Sequence, residues 1–302
     1  MSALVIVKPI TITDAMLTSS NVTEADYSAW SSATTYALGA RVIIVSTHKI
    51  YESLQASNLN KDPLTQPLWW VEVSPTNRWS CLDTYVTTQT KKATSMVYTL
   101  APGEVVNALA ALNLTNATSI VISMTSVLGG GSVFSKTISL AAVPLYPAWW
   151  AWFYGTKIAP TQSVSVDLPS YVDGIITVTI SGGTSLAVGV LMIGQQRAFG
   201  VGIQYGARVG IQDYSRKEKN DFGDTVLVER AFAKRANFDL ILEKFETDQL
   251  QNFLAEIRAT NALWIGSDEY ESTIIFGFYK SFDILISYPT RSDCSLEIEG
   301  LT

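Results

Sequence analysis

Histidine is nearly missing from this chain of 302 residues: there is one, His48. Any Ser-His or Cys-His mechanism would have to run through it, and it falls in the turn of a short predicted hairpin, where a surface position is expected. Cysteine is almost as scarce. Cys81 and Cys294 lie far apart in the chain. They give neither a disulfide framework nor a zinc-ligand spacing, and are expected to be small buried residues. Charge is sparse too, at 16% Asp, Glu, Lys and Arg, with a net charge of −6 and a pI of about 4.9. No run of Lys or Arg exceeds two residues. A phosphate-binding surface needs concentrated positive charge, so nucleic acid is not expected as a partner. Met1 to Pro9 is apolar but has no basic leader. The longest apolar stretch, Ile138 to Tyr154, is interrupted by Pro144 and Pro147. It falls short of the roughly twenty residues of a membrane helix, so neither a signal peptide nor a membrane span is expected.

Chemical motifs are missing as well. Gly129 to Gly131 and Gly182-Gly183 have no lysine or helix start beside them to make a phosphate cradle. Asp213, Asp221 and Asp224 lie in the segment DYSRKEKNDFGD, which lacks the acid-at-alternate-positions pattern of a calcium loop. A solvated hairpin tip or a subunit contact is expected there. The 27 acids offer many carboxylate pairs for glycoside cleavage, and no spacing singles one out. Asn21, Asn113 and Asn116 head N-x-T triplets, which matter only in a secreted eukaryotic protein, and nothing else points to one. No catalytic residue, metal ligand or cofactor is assigned, and the chain is not expected to be an enzyme.

What is abundant is apolar and aromatic: 47% hydrophobic residues, with 8 Trp, 13 Tyr and 11 Phe. That composition suits either a well-filled β-core or large subunit interfaces, which resemble a core cut in half, and we expect the second. The expected fold is mainly β. Residues 1–25 read as an arm, with Leu4 to Val7 as a strand that docks on a neighbouring subunit or on its own chain. Residues 26–78 read as a small β-module with strands at Arg41 to Val45, Lys49 to Leu54 and Leu68 to Val73. A module this short needs a few large rings to supply its core.

Residues 79–195 read as a β-sandwich or jelly roll. Short strands fall at Ser95–Leu100, Ser119–Thr125, Ser132–Leu140, Trp149–Tyr154, Ser163–Leu168, Gly174–Ile180 and Ser185–Ile193, with turn chemistry between them. Val105 to Leu114 is ambiguous by period, and extended structure is expected. On a strand, Trp150, Trp152 and Tyr154 would share one face and Trp149 and Phe153 the other. Such a strand would be buried between layers or meet a partner, or its rings would form a glycan platform.

Residues 196–302 read as an α+β domain. Leu250, Phe253, Leu254 and Ile257 recur at i, i+3, i+4 and i+7, a single apolar helix stripe. Thr247 is the expected N-cap. Strands are expected around it at Val201–Ile211, Thr225–Phe232, Phe238–Glu243, Ala262–Ile265, Thr273–Phe278, Phe282–Ser287 and Ser295–Ile298, giving one helix laid across an antiparallel sheet.

Trp30, Tyr36, Gly39, Val42, Tyr51, Pro63 and Trp69 or Trp70 follow one another in an order that resembles the chitin-binding-type carbohydrate-binding modules of families 5 and 12. In that family, exposed tryptophans lie four and five residues after the tyrosine that matches Tyr51. Here those positions are Gln55 and Ala56, so the sugar platform is missing. Trp69-Trp70 is a possible substitute. Neighbouring strand residues face opposite ways, so one ring is expected in the core and one outside. The carbohydrate-binding candidates are therefore Trp69, Trp70, Trp150, Trp152 and Tyr154.

This small module, a β-domain and the C-terminal segments FGDTVLVERAFAKRANFDLIL, ALWIGSDE, FGFYKSF and SLEIEGL together resemble a tail or baseplate structural protein of a tailed bacteriophage. The resemblance implies a virion tail protein assembled in the bacterial cytoplasm. It would form a three- or six-fold homo-oligomeric ring through residues 196–302 and display its β-domains to other tail proteins or to host surface polysaccharide. Two alternatives stay open: a host-glycan receptor-binding protein, and a polysaccharide-degrading enzyme with a binding module.

Overall fold

The computed structural model describes residues 3–144, 148–204, 206–219, 224–267 and 270–301. The protein is mainly β, with antiparallel sheets. It divides into two compact units, Thr11–Met192 and a second made of residues 1–10 with 193–302. The boundary falls three residues before the expected 195/196 division, inside a single strand, Ile175–Phe199. Of the two placements expected for the strand at Leu4 to Val7, the structure shows docking on its own chain. Leu4–Pro9 is an internal strand, paired on one side with Gly194–Phe199 and on the other, through Val5–Val7, with Leu263–Ile265. Leu4, Ile6 and Val7 are fully buried, so this segment packs on its own chain.

In the unit formed by residues 1–10 and 193–302, the sheet runs in the order 194–199, Leu4–Pro9, Ala262–Ile265, Ile274–Leu285, Arg291–Gly300, Phe232–Glu243. Phe232–Glu243 then pairs with Gly202–Ile203 and Arg208–Asp213. The helix is Lys244–Glu256. Its stripe is buried as the spacing predicts: Leu250, Phe253, Leu254 and Ile257 join Leu4, Ile6, Phe238, Leu240, Trp264, Leu296 and Ile298 in one core. The cap differs from expectation. Glu243 is the N-cap, in a reciprocal capping box with Glu246. Thr247 lies inside the first turn, and its hydroxyl reaches Glu243 O at 3.4 Å and Ser292 Oγ at 3.3 Å. Strands expected at 273–278 and 282–287 are one strand, Ile274–Leu285, with a register shift between Tyr279 and Ser281. A bulge there keeps pairing going through a stretch that reads as a break.

In the Thr11–Met192 unit, the strand from Ile175 pairs with Ser95–Leu100 and Thr90–Lys91 and neighbours Ala108–Thr125, which in turn pairs with Ser132–Ser139. Leu17–Ser20 adds to Ser95–Leu100. Met96, Tyr98, Leu100, Ile120, Ile122, Met124, Ile176, Val178 and Ile180 interleave as its buried side chains. Gly182-Gly183 does not end a strand. A Cβ at Gly182 would lie 2.3 Å from Asn116 O, so the glycine permits close approach of two strands. Asn113 and Asn116 take positive φ of 50° and 54° within Ala108–Thr125, a conformation asparagine tolerates.

The small module holds a three-stranded sheet of Arg41–Ile44, Lys49–Ser53 and Trp70–Pro75, with Lys49–Ser53 in the middle. A short pair, Thr35–Tyr36 with Asn58–Leu59, lies beside it in sequence. Val42, Tyr51 and Trp70 form the core, and Trp30, Tyr36, Ile44 and Trp69 pack against it. Aromatic rings supply most of this core, as its length demands.

The expected strand at 149–154 is a helix, Trp149–Tyr154. Trp152 N donates to Ala148 O, and Gly155 N donates to Ala151 O at 2.9 Å. Trp149 therefore stands over Phe153, and Trp150 over Tyr154, as i,i+4 pairs. Gly155 at the C-cap was the legible stop signal.

Candidate functional site

The five candidate sugar-binding residues fall into two groups. Trp70 is core: it is 2% exposed, its Nε1 donates to Lys61 O at 2.8 Å, and its ring meets Tyr36 edge-on. A ring so covered has no face to offer a pyranose. Trp69 is half-buried beside it, with Lys61 Nζ 5.3 Å from its ring centroid. Gln55, at a position where the resembled family carries an exposed tryptophan, uses its amide to cap Leu68 O at 3.0 Å. The module's chemistry is thus spent on its own packing.

Trp150, Trp152 and Tyr154 form the second group and lie in the open. The helix they share has no buried residue, and Trp149, Trp150, Trp152, Phe153 and Tyr154 are 52–74% exposed. A two-residue ladder, Val143–Pro144 with Lys157–Ile158, closes the base of this finger, and Val143 and Ile158 are themselves exposed. The ring planes are not aligned: Trp150 and Tyr154 meet at 45°, Trp149 and Phe153 at 71°. Lys157 Nζ lies 5.4 Å from the Trp152 centroid.

A third feature is the arm that leaves the sheet of the other unit. Arg208–Asp213 pairs with Phe232–Asn237, and beyond it Arg216–Lys219 pairs with Thr225–Val228 as a separate two-stranded ribbon. Asp213 and Asp224 of the expected hairpin are described, and residues 220–223, including Asp221, fall outside the described residues. Every residue of Arg208–Asp213, Arg216–Lys219 and Thr225–Val228 is exposed. Val209, Ile211, Tyr214, Val226, Leu227, Val228 and Phe232 are 43–68% exposed. Asp213 forms an ion pair with Lys217 at 2.5 Å, and hydrogen bonds from Lys217 and Ser215 hold its carboxyl well below the usual carboxylate range. Among the described residues no cluster of His, Cys, Asp and Glu has the makings of a metal site.

His48 is not the surface turn residue expected. Its backbone is left-handed at φ 56°, but its side chain is only 16% exposed and stacks on Trp79 at 4.2 Å. Nδ1 lies 2.9 Å from Glu24 Oε1, and Nε2 faces Asp14 Oδ1 at 3.4 Å. Thr76 Oγ1 donates to the same Glu24 at 2.9 Å, and Arg78 approaches it at 3.8 Å. The imidazole thus ties three separate segments together. Cys81 and Cys294 are buried and unpaired, as expected, and burial pushes their thiols up to about 11 and about 12.

An open groove of about 570 Å³ is lined by polar residues, among them Gln89, Lys91 and Asn116, together with the apolar Ala93, Leu186 and Ala187. Its amides are engaged within the fold: Gln89 donates to Asn113 O at 3.0 Å and Asn116 to Ser185 Oγ at 2.7 Å. No protein-family model matches the chain, and no curated protein matches it. Among the described residues no helix is long and apolar enough to cross a membrane.

Proposed function

We propose that this protein is a structural component of a bacteriophage tail tip or baseplate, located in the virion tail, and that it acts by assembly rather than by catalysis. Copies close into a three- or six-fold ring through residues 196–302, while the Thr11–Met192 unit displays β-domains to other tail proteins. The observation that carries this reading is the 208–237 arm. Adjacent residues of a strand face opposite ways, so the run Val226-Leu227-Val228 puts exposed apolar side chains on both faces of the ribbon, opposite Glu218, Lys217 and Arg216. A two-stranded ribbon is marginally stable in water without a surface to pack on. Its outer strands also offer unpaired backbone groups, which ring closure would pair or cover. A neighbouring copy supplies both. The second apolar edge at Leu285 and Ile286, 65% and 75% exposed, is available as the complementary surface of a heterologous contact.

Native mass spectrometry of the purified chain tests the reading. A cyclic oligomer is expected, burying more than roughly 1,000 Å² per contact. Leu227→Asp should give a folded monomer, because the ribbon stays wet in the free chain and the change bears on the interface alone. A protein that is monomeric in every preparation and absent from purified virions would end this reading.

A further inference from the structure

The ring proposed above is built through residues 196–302, and the aromatic finger lies outside that segment. We propose that the Trp149–Tyr154 helix is a lipid-interface probe, which inserts its rings among the headgroups and upper acyl chains of a bilayer. Apolar side chains surround this helix, and none of its six residues is buried. A helix apolar all round needs an apolar medium all round, whereas a groove on a folded partner covers one face and leaves the rest wet. Five rings with about two-thirds of their surface exposed amount to roughly 500–800 Å², since each aromatic side chain can bury 150–250 Å². Spread around a helix, about half of that can touch a second copy, well under the ~800 Å² per partner of a stable contact.

Trp and Tyr carry an apolar body with a polar edge, the combination enriched where bilayer meets water. From Thr137 to Val166 the only charged residue is Lys157, at the finger's base. One cation and no acid complement an anionic leaflet. The helix is about 9 Å long, enough for interfacial insertion and far short of a span. The ring tilts of 45° and 71° speak against the alternative in which several rings stack on one sugar chain.

The test mixes the full-length protein with phosphatidylcholine vesicles and with mixed phosphatidylcholine–phosphatidylglycerol vesicles. Binding is read by co-flotation, and depth by quenching of tryptophan fluorescence with brominated lipid. Binding is expected, stronger to the mixed vesicles, with quenching. The combined variant Trp149→Ser, Trp150→Ser, Trp152→Ser, Phe153→Ser should lose at least tenfold in vesicle affinity with an unchanged melting temperature, because these side chains are exposed. Lys157→Glu should lose several-fold on mixed vesicles only. Absence of binding to both vesicle types would overturn the proposal. So would retention on polysaccharide that depends on the same rings without vesicle binding, which would assign the finger to sugar.

Discussion

Replacing Trp70 by alanine should open the small module while leaving the other unit folded. Trp70 is 2% exposed and is one of only three fully packed residues in that core, with Val42 and Tyr51. Truncating a buried Trp costs about 3–5 kcal/mol. The loss includes the edge-on contact with Tyr36 at 5.2 Å and the hydrogen bond to Lys61 O, whose carbonyl would be left without it. A folded chain holds roughly 0.05–0.15 kcal/mol per residue, so about fifty residues hold ~3–8 kcal/mol, and one substitution removes most of it. Trp70→Phe keeps a ring but gives up the Nε1 donor, and should cost about 1–2 kcal/mol. Amide hydrogen exchange on the intact protein reads this directly. Protection over Arg41–Ile44, Lys49–Ser53 and Trp70–Pro75 should fall to near zero in Trp70→Ala, while Phe232–Glu243 and Arg291–Gly300 keep theirs. Wild-type protection of all three module strands in Trp70→Ala would refute the aromatic-core account.

Phe253→Ala should destabilise the unit of residues 1–10 and 193–302 by about 3–5 kcal/mol, measured by denaturant melts, because its buried ring packs on Phe199 at 5.4 Å. Neither cysteine should react with a thiol reagent at pH 8 in the native protein, and each should react when its own unit opens, so mass-resolved labelling of Cys81 and Cys294 along a denaturation series reports the two units separately. At Asp167 partial burial works against the charged form, but hydrogen bonds from Lys136 and Ser165 outweigh it and hold the carboxyl below its usual value. Its contribution is therefore complete above the unfolded pKa near ~3.9 and fades as pH falls towards the lower folded value. For so exposed a pair it is at most about 1 kcal/mol, and Asp167→Asn should lower neutral-pH stability by no more than that while flattening the acid limb of the melt.

The sequence by itself determined the mainly β class, the module's aromatic core and the helix stripe, because each rests on local periodicity or on a few large side chains with nowhere else to go. Leu250, Phe253, Leu254 and Ile257 repeat at helical spacing and meet the sheet wherever that sheet stands. What periodicity could not settle was decided between distant segments. The apolar strand Leu4–Val7 reads the same whether it docks on a neighbouring subunit or on its own chain, and only its two partners, 194–199 and 262–265, made it internal. Gly182 reads as a break until Asn116 O is found 2.3 Å from where its Cβ would be. His48 reads as a loop residue until Glu24 and Trp79, far off in the chain, close over it. The run Trp149–Tyr154 is dense enough in rings to suit a buried strand. It is an exposed helix: among the described residues no second layer covers it, and a segment without a sheet partner satisfies its backbone groups locally.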